Sequence, residues 1–184
     1  KMKINQDLYL YSTEGNPGSR FKSIEIGENV AIVSGKGNDV IIDNISFKFT
    51  GGHGMGGAGV CKNRTVTNCV YSWIGGSVLS HDFHGNGSPV NYGNAVEIYG
   101  SCNGYYVKNN WMYQIYDTGI THQANPWADV DVHQYDAMYL DNLIEYCFWS
   151  VEFYNGRNDA FDRDIRNVYI CGNFCRYGGF GWGC

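Results

Sequence analysis

Proline is nearly missing from this chain, with three in 184 residues. Leucine and alanine are sparse as well: together they number 12, against 28 for isoleucine and valine. That imbalance excludes a helical protein, because Leu and Ala favour helices and β-branched residues favour pleated strands. Charge is thin too, at 17% of residues, below the ~25% of an average soluble domain. The net charge is −5, and no basic stripe exists to track a phosphate backbone, which argues against a nucleic-acid partner. No run approaches the ~20 continuous apolar residues of a membrane helix, so membrane insertion is not expected. The seven cysteines contain no Cys-x-x-Cys pair, so zinc and thioredoxin-type chemistry find no support. Seven is odd, so at least one thiol is unpaired within the chain. They read as core thiols rather than as a disulfide framework.

What the chain does have is glycine, aromatic residues and a repeat. Segments such as Asn110-Trp-Met-Tyr-Gln-Ile-Tyr-Asp-Thr-Gly and Asn142-Leu-Ile-Glu-Tyr-Cys-Phe-Trp-Ser-Val align with one another, each preceded by a short β-rich run. Taking Asn44, Asn68, Asn110, Asn142 and Asn173 as one recurrent corner gives spacings of 24, 42, 32 and 31 residues. A unit of short strands cannot bury its apolar side alone, but stacked units bury a continuous core. Asparagine suits the corner because it tolerates the left-handed conformation and can share amide hydrogen bonds along a stack. The longer spacings carry inserted loops, at His81 to Asn91, Ala124 to His133 and Gly156 to Asp164, expected on one side of the stack. The reading is all-β, a right-handed parallel β-helix (β-solenoid) over residues 1–184. Residues 1–37 form leading strands or a first coil, and 38–184 form four to five coils. The unfinished coil after Asn173 reads as an excerpt of a longer solenoid, since solenoids carry polar caps.

Val66-Thr-Asn-Cys-Val, Gly93-Asn-Ala-Val-Glu-Ile-Tyr-Gly and Val107-Lys-Asn-Asn resemble the repeats of the pectate-lyase-like superfold. Longer pieces, among them Leu8-Tyr-Leu-Tyr-Ser and Ile115-Tyr-Asp-Thr-Gly-Ile-Thr-His-Gln, are similar to bacterial β-helix proteins of the carbohydrate-active type. The resemblance implies a polysaccharide or oligosaccharide partner and an extracellular or cell-surface setting. The Gly52-His53-Gly54 triplet is similar to one motif of polygalacturonases. Their Asn-Thr-Asp, Asp-Asp and Arg-x-Lys motifs do not occur in order here, so that family is not assigned. Since one superfold hosts many chemistries, activity has to be argued from the site.

Alternation along strands supplies the candidates. Ile120 facing in turns Thr121 and Gln123 out and His122 in, unless a bend intervenes. Val96 and Val151 facing in turn Glu97 and Glu152 out. Stacking then places Glu97, Thr121 and Glu152 on one sheet, at separations that paired-carboxylate glycosidases use. Asp117, in Tyr116-Asp-Thr-Gly just before that strand, is either a third carboxyl or an Asx turn. The expectation is a glycoside hydrolase with Glu97, Asp117 and Glu152 catalytic, and His53, His122, Gln123, Asn94 and Trp127 binding substrate. Trp127, after Pro126 in a polar loop, is the candidate sugar platform, whereas Trp73 and Trp149 read as an internal stack. Two other readings remain: a uronate lyase assisted by Ca²⁺, with Asp129 and Asp131 as weak ligands, and a non-catalytic glycan-binding or fibre module. Otherwise no cofactor is expected. His81, Asp82 and His84 read as a polar loop.

Overall fold

The computed structural model describes residues 12–24, 27–56, 59–82, 85–156 and 159–184. His84, Arg157 and residues 8–11 of the Leu8 segment lie outside them. Among the described residues the only α-helix is one turn, α1 (Pro17–Arg20), and the rest of the regular structure is strand. Among the described residues no helix is long and apolar enough to cross a membrane.

In chain order the strands are β1 (Val33–Ser34), β2 (Gly37–Asp43), β3 (Ser46–Thr50), β4 (Met55–Gly56), β5 (Cys61–Thr67), β6 (Val70–Ile74), β7 (Ser77–Ser80) and β8 (Val90–Tyr92). They continue as β9 (Val96–Ile98), β10 (Cys102–Lys108), β11 (Trp111–Ala124), β12 (Val132–Leu140), β13 (Leu143–Asn155), β14 (Arg163–Cys171) and β15 (Phe174–Arg176). One sheet runs β2-β5-β10-β12-β14, all parallel. The other runs β1-β4-β9-β11-β13-β15, with β3 and β6 beside the first half of β11. The chain therefore passes from one sheet to the other, and each return pairs with the pass before. Among the described residues only β7 and β8 pair antiparallel; they are the hairpin arms of the insertion around His81 to Asn91.

The registers show how the sequence closes the core. Ile42, Val66, Val107 and Tyr139 are successive partners across one sheet, and all are buried. Phe47, Tyr71, Met112 and Ile144 do the same across the other. Met55, Val96 and Ile120 form a further buried row. Each such side chain contributes about 1.5–3 kcal/mol by leaving water.

The corner differs from the sequence reading by one residue. Thr67 pairs with Lys108 and Val70 with Trp111, so Asn68 stands opposite Asn109, and Cys69 opposite Asn110. Two adjacent rows result. Asn44, Asn68, Asn109 and Asp141 are left-handed, with φ of 57°, 55°, 56° and 53°. The next row is Cys69, Asn110, Asn142 and Asn173, joined by amide hydrogen bonds. The repeat is thus 24, 41, 32 and 31 residues, read from Gly37↔Cys61, Cys61↔Cys102, Cys102↔Gln134 and Gln134↔Ile165.

Trp73 and Trp149 do not stack internally: they are 43% and 56% exposed. Trp73 falls between Ser72↔Tyr113 and Ile74↔Ile115, hence opposite Gln114, whereas Trp149 pairs with Thr118. An irregularity between Ile115 and Thr118 separates these positions.

All seven thiols are free; Cys61, Cys69, Cys102 and Cys147 are buried, and Cys171, Cys175 and Cys184 are exposed. A thiol reagent is expected to label three cysteines quickly in the native protein and the other four only in denaturant. Labelling of fewer than seven in denaturant would reveal a disulfide.

Candidate functional site

The register that places Val96, Ile120 and Val151 in one row fixes the next row. Thr121 is the partner of Glu97 on one side and of Glu152 on the other. Thr121 is fully buried between them, so two carboxylates stand two strands apart, about 9–10 Å along the sheet at ~4.8 Å per strand. Glu97 and Glu152 line a cleft of about 400 Å³, together with His53, Asn94, Asp117 and Gln123. Leu79 and Tyr92 from the hairpin and Tyr99 complete the wall. Among the described residues the lining contains no Lys or Arg.

Glu97 is 7% exposed and is the most firmly held of the carboxylates. Its Oε2 lies 2.8 Å from His53 Nδ1 and accepts from Asn94 Nδ2 at 3.4 Å. The Asn94 amide N–H also donates to His53 Nδ1, at 3.1 Å. A ring nitrogen offers either one N–H or one lone pair, so His53 Nδ1 can accept from the Asn94 amide or donate to Glu97, not both at once. Gly56 lies beside Glu97, and a Cβ there would sit 2.7 Å from Glu97 Cβ, so this position has room only for glycine.

Asp117 lies within β11, at the irregularity, rather than before the strand. Its carboxyl is pushed up to about 6, first by desolvation and then by the charge of Glu152, with Glu97 a smaller contributor. Thr118 Oγ1 donates to its Oδ1 at 3.3 Å. Among the described residues, no side chain is hydrogen-bonded to the half-buried Glu152. The Tyr99 phenol is raised by burial and then by Glu97. Tyr92 packs against His53 with ring centroids 4.7 Å apart, and its hydroxyl donates to Asn29 Oδ1 at 2.8 Å.

The other predicted residues are placed differently. Asn94 is 5% exposed and braces the wall: its Oδ1 accepts from the Thr118 amide at 3.1 Å, while its amide group faces Glu97. Its carboxamide is thus committed within the protein. His122 is in the core, not the cleft, because it shares the inward register of its buried partner Ile98. It is fully buried, its Nδ1 is 2.8 Å from the Tyr139 hydroxyl, and desolvation pushes its pKa down to about 4. Trp127 is 72% exposed in the loop after β11, outside the cleft lining. Among the described residues, Asp129 and Asp131 belong to no cluster of three or more metal-ligating side chains. Asp131 instead accepts from the Asp162 amide at 2.8 Å. Arg163 ties the same two inserted loops together, donating to the carbonyls of Asn125, Ala128 and Val130 at 2.7–2.9 Å. Asp82 closes its own loop by accepting from the Gly87 amide at 2.6 Å.

Sequence reasoning missed Leu79 and Tyr92. The signal available was the insertion itself: the hairpin it forms rises beside the row of Glu97. An all-β chain of parallel sheets with an acid-lined cleft on one face is the class these observations define. In comparisons with known proteins, no family model, no curated protein and no solved structure matches the chain.

Proposed function

We propose that the two-sheet winding is a right-handed parallel β-helix of the pectate-lyase-like kind, and that its cleft is the active centre of a glycoside hydrolase acting on a polysaccharide outside the cell. The observation that carries this reading is Asp117, a carboxyl held protonated to about pH 6 in the same cleft as Glu152. Glycosidic cleavage needs this asymmetry, one acid that keeps its proton and one carboxylate that has lost it. Asp117 is the general acid, giving its proton to the leaving glycosidic oxygen. Glu152, to which no side chain is hydrogen-bonded among the described residues, is the base or nucleophile. Glu97 is a positioning residue that orients His53 through its 2.8 Å contact, and Gln123 and Tyr99 border the sugar.

The lining also bears on the sugar. Among the described residues the lining brings three carboxyls and no Lys or Arg, which would repel a uronate at the cleavage point, favours a neutral residue there and weighs against the lyase. The test is reducing-end release from neutral polysaccharides. Wild-type protein should release sugar, with a rate that falls about tenfold per pH unit above about 6 as Asp117 ionises. Glu152→Gln should lower that rate by at least ~100-fold. Products absorbing in the ultraviolet would mean elimination instead, and binding without product would mean a glycan-binding module.

A further inference from the structure

A second cleft, of about 460 Å³, lies on the other flank of the β7–β8 hairpin. Its walls are Phe49, Trp73 and Trp182, and Gly75, Gly76 and Ser77 are among its remaining lining. Ser77 begins the hairpin and faces this cleft, while Leu79 and Tyr92 of the same hairpin face the acidic one. One short hairpin therefore stands between an acidic cleft and an aromatic one.

The aromatic walls are held open. Phe49 is 57% and Trp73 43% exposed. Both have left-handed backbone, with φ of 60° and 56°. The same left-handed corner continues through Gln114, Tyr146 and Tyr177 on the later passes, so the fold itself turns these side chains outward. They stand on the adjacent strands β3 and β6, about 4.8 Å apart, close to the length of one sugar unit. Trp182 faces them from the segment after β15. Its Nε1–H donates to the Gln114 carbonyl at 2.9 Å and its amide to Gln114 Oε1 at 3.1 Å, and its ring packs edge-on against Tyr116. A Cβ on Gly76 would lie 2.3 Å from Trp182 Cη2, so the glycine lets the indole close down on the cleft floor.

The chemistry of this cleft is the reverse of its neighbour's. Among the described residues it is lined by no charged side chain. The backbone amides of its floor are already used: Gly75 donates to Thr50, Gly76 to Tyr92 and Ser77 to Gly51. What remains is flat aromatic surface with the Ser77 hydroxyl at its edge. Such a site takes a ligand with an apolar face and no charge, and the ring face of a neutral sugar meets that description. We infer that this aromatic cleft is a distal subsite that stacks neutral sugar units of the same chain that enters the acidic cleft across the hairpin. The inference rests on the glycan-active reading of the acidic cleft. Because the contacts are stacking contacts far from the carboxylates, the subsite adds affinity for long chains and leaves the chemical step alone.

The test uses Glu152→Gln protein, so that ligand is not consumed, titrated with neutral cello-, xylo-, manno- and galacto-hexaoses and with polygalacturonate as the charged probe. At least one neutral hexaose should bind and quench Trp fluorescence. Adding Trp73→Ala should raise its Kd about tenfold, Trp73→Phe should restore it to within about threefold, and the matching disaccharide should not distinguish the three proteins. In wild-type background, Trp73→Ala should raise KM for the hexaose with kcat within about twofold. The inference is overturned if Trp73→Ala leaves hexaose Kd unchanged, if polygalacturonate is the better ligand, or if no neutral hexaose binds. Hexaose binding that Trp73→Ala weakens, with no product released by the wild-type protein, would sink the hydrolase reading alone, and persistent turnover by the Glu152→Gln protein would sink only the role given to that residue.

Discussion

Replacing Asp117 by asparagine is expected to abolish turnover and, at the same time, to stabilise the protein at pH 7. The two effects share one cause. Burial and the Glu152 charge hold the Asp117 carboxyl at about 6 instead of 3.8. Folded protein therefore binds that proton more tightly than unfolded protein does. Below about pH 4 both states are protonated and the site costs nothing. Between about 4 and 6 the unfolded state releases the proton while the folded state keeps it, so stability falls as pH rises. Above 6 the loss is constant, and the rise from 3.8 to about 6 sets it at up to about 3 kcal/mol. Asparagine cannot ionise, and its Oδ1 still accepts from Thr118. The variant should melt several degrees above wild type at pH 7, by about 2–4 °C per kcal/mol for a chain of this size, and within a degree or so of it at pH 4. Turnover should drop by about 10²–10⁴, the usual worth of a general acid. An Asx turn predicts the opposite sign, since removing a turn-forming carboxylate destabilises. Melting curves of both proteins at pH 4 and pH 7 decide between them.

The part of this site that was legible in the sequence is the part that follows from period two. Ile120 facing the core commits Thr121 to one face and His122 to the other, and parallel stacking then aligns Glu97, Thr121 and Glu152 without further information. Four things were not legible, each for a physical reason. The corner row slips by one residue because both Asn68 and Cys69 fit their places: a left-handed asparagine in one row and a small buried side chain in the next. The exposure of Trp73 depends on a left-handed residue inside a strand, which alternation does not anticipate. The Glu97–His53 contact joins residues 44 positions apart through β4 and β9, two strands so short that no pattern marks them. Asp117 was found as a residue type, but its raised pKa depends on burial and on Glu152, and neither is a property of the local sequence.

The largest loss of stability is expected from the corner row, at Asn142→Ala. Asn142 is 1% exposed. Its Oδ1 accepts from both the backbone amide and the side-chain amide of Asn110, each at 2.9 Å. Its own Nδ2 donates to the Val107 carbonyl at 3.1 Å and to Asn173 Oδ1 at 2.8 Å. Alanine removes all four bonds and leaves the Asn110 amide and the Val107 carbonyl buried without their partner. An orphaned buried group costs about 1–3 kcal/mol, so two of them put the change near 3–5 kcal/mol, or a fall in Tm on the order of 10 °C. Asn173→Ala removes a residue that is only half-buried, where water can replace the lost partner, and should cost roughly half as much. Because Asn110 and Asn142 share bonds, the double variant Asn110→Ala with Asn142→Ala should cost clearly less than the two singles added together. Additive losses, or equal losses at Asn142 and Asn173, would show that the row acts as independent turn residues and not as a connected ladder. In that case the stacking of one pass upon the next would rest on the apolar rows and the strand pairing alone.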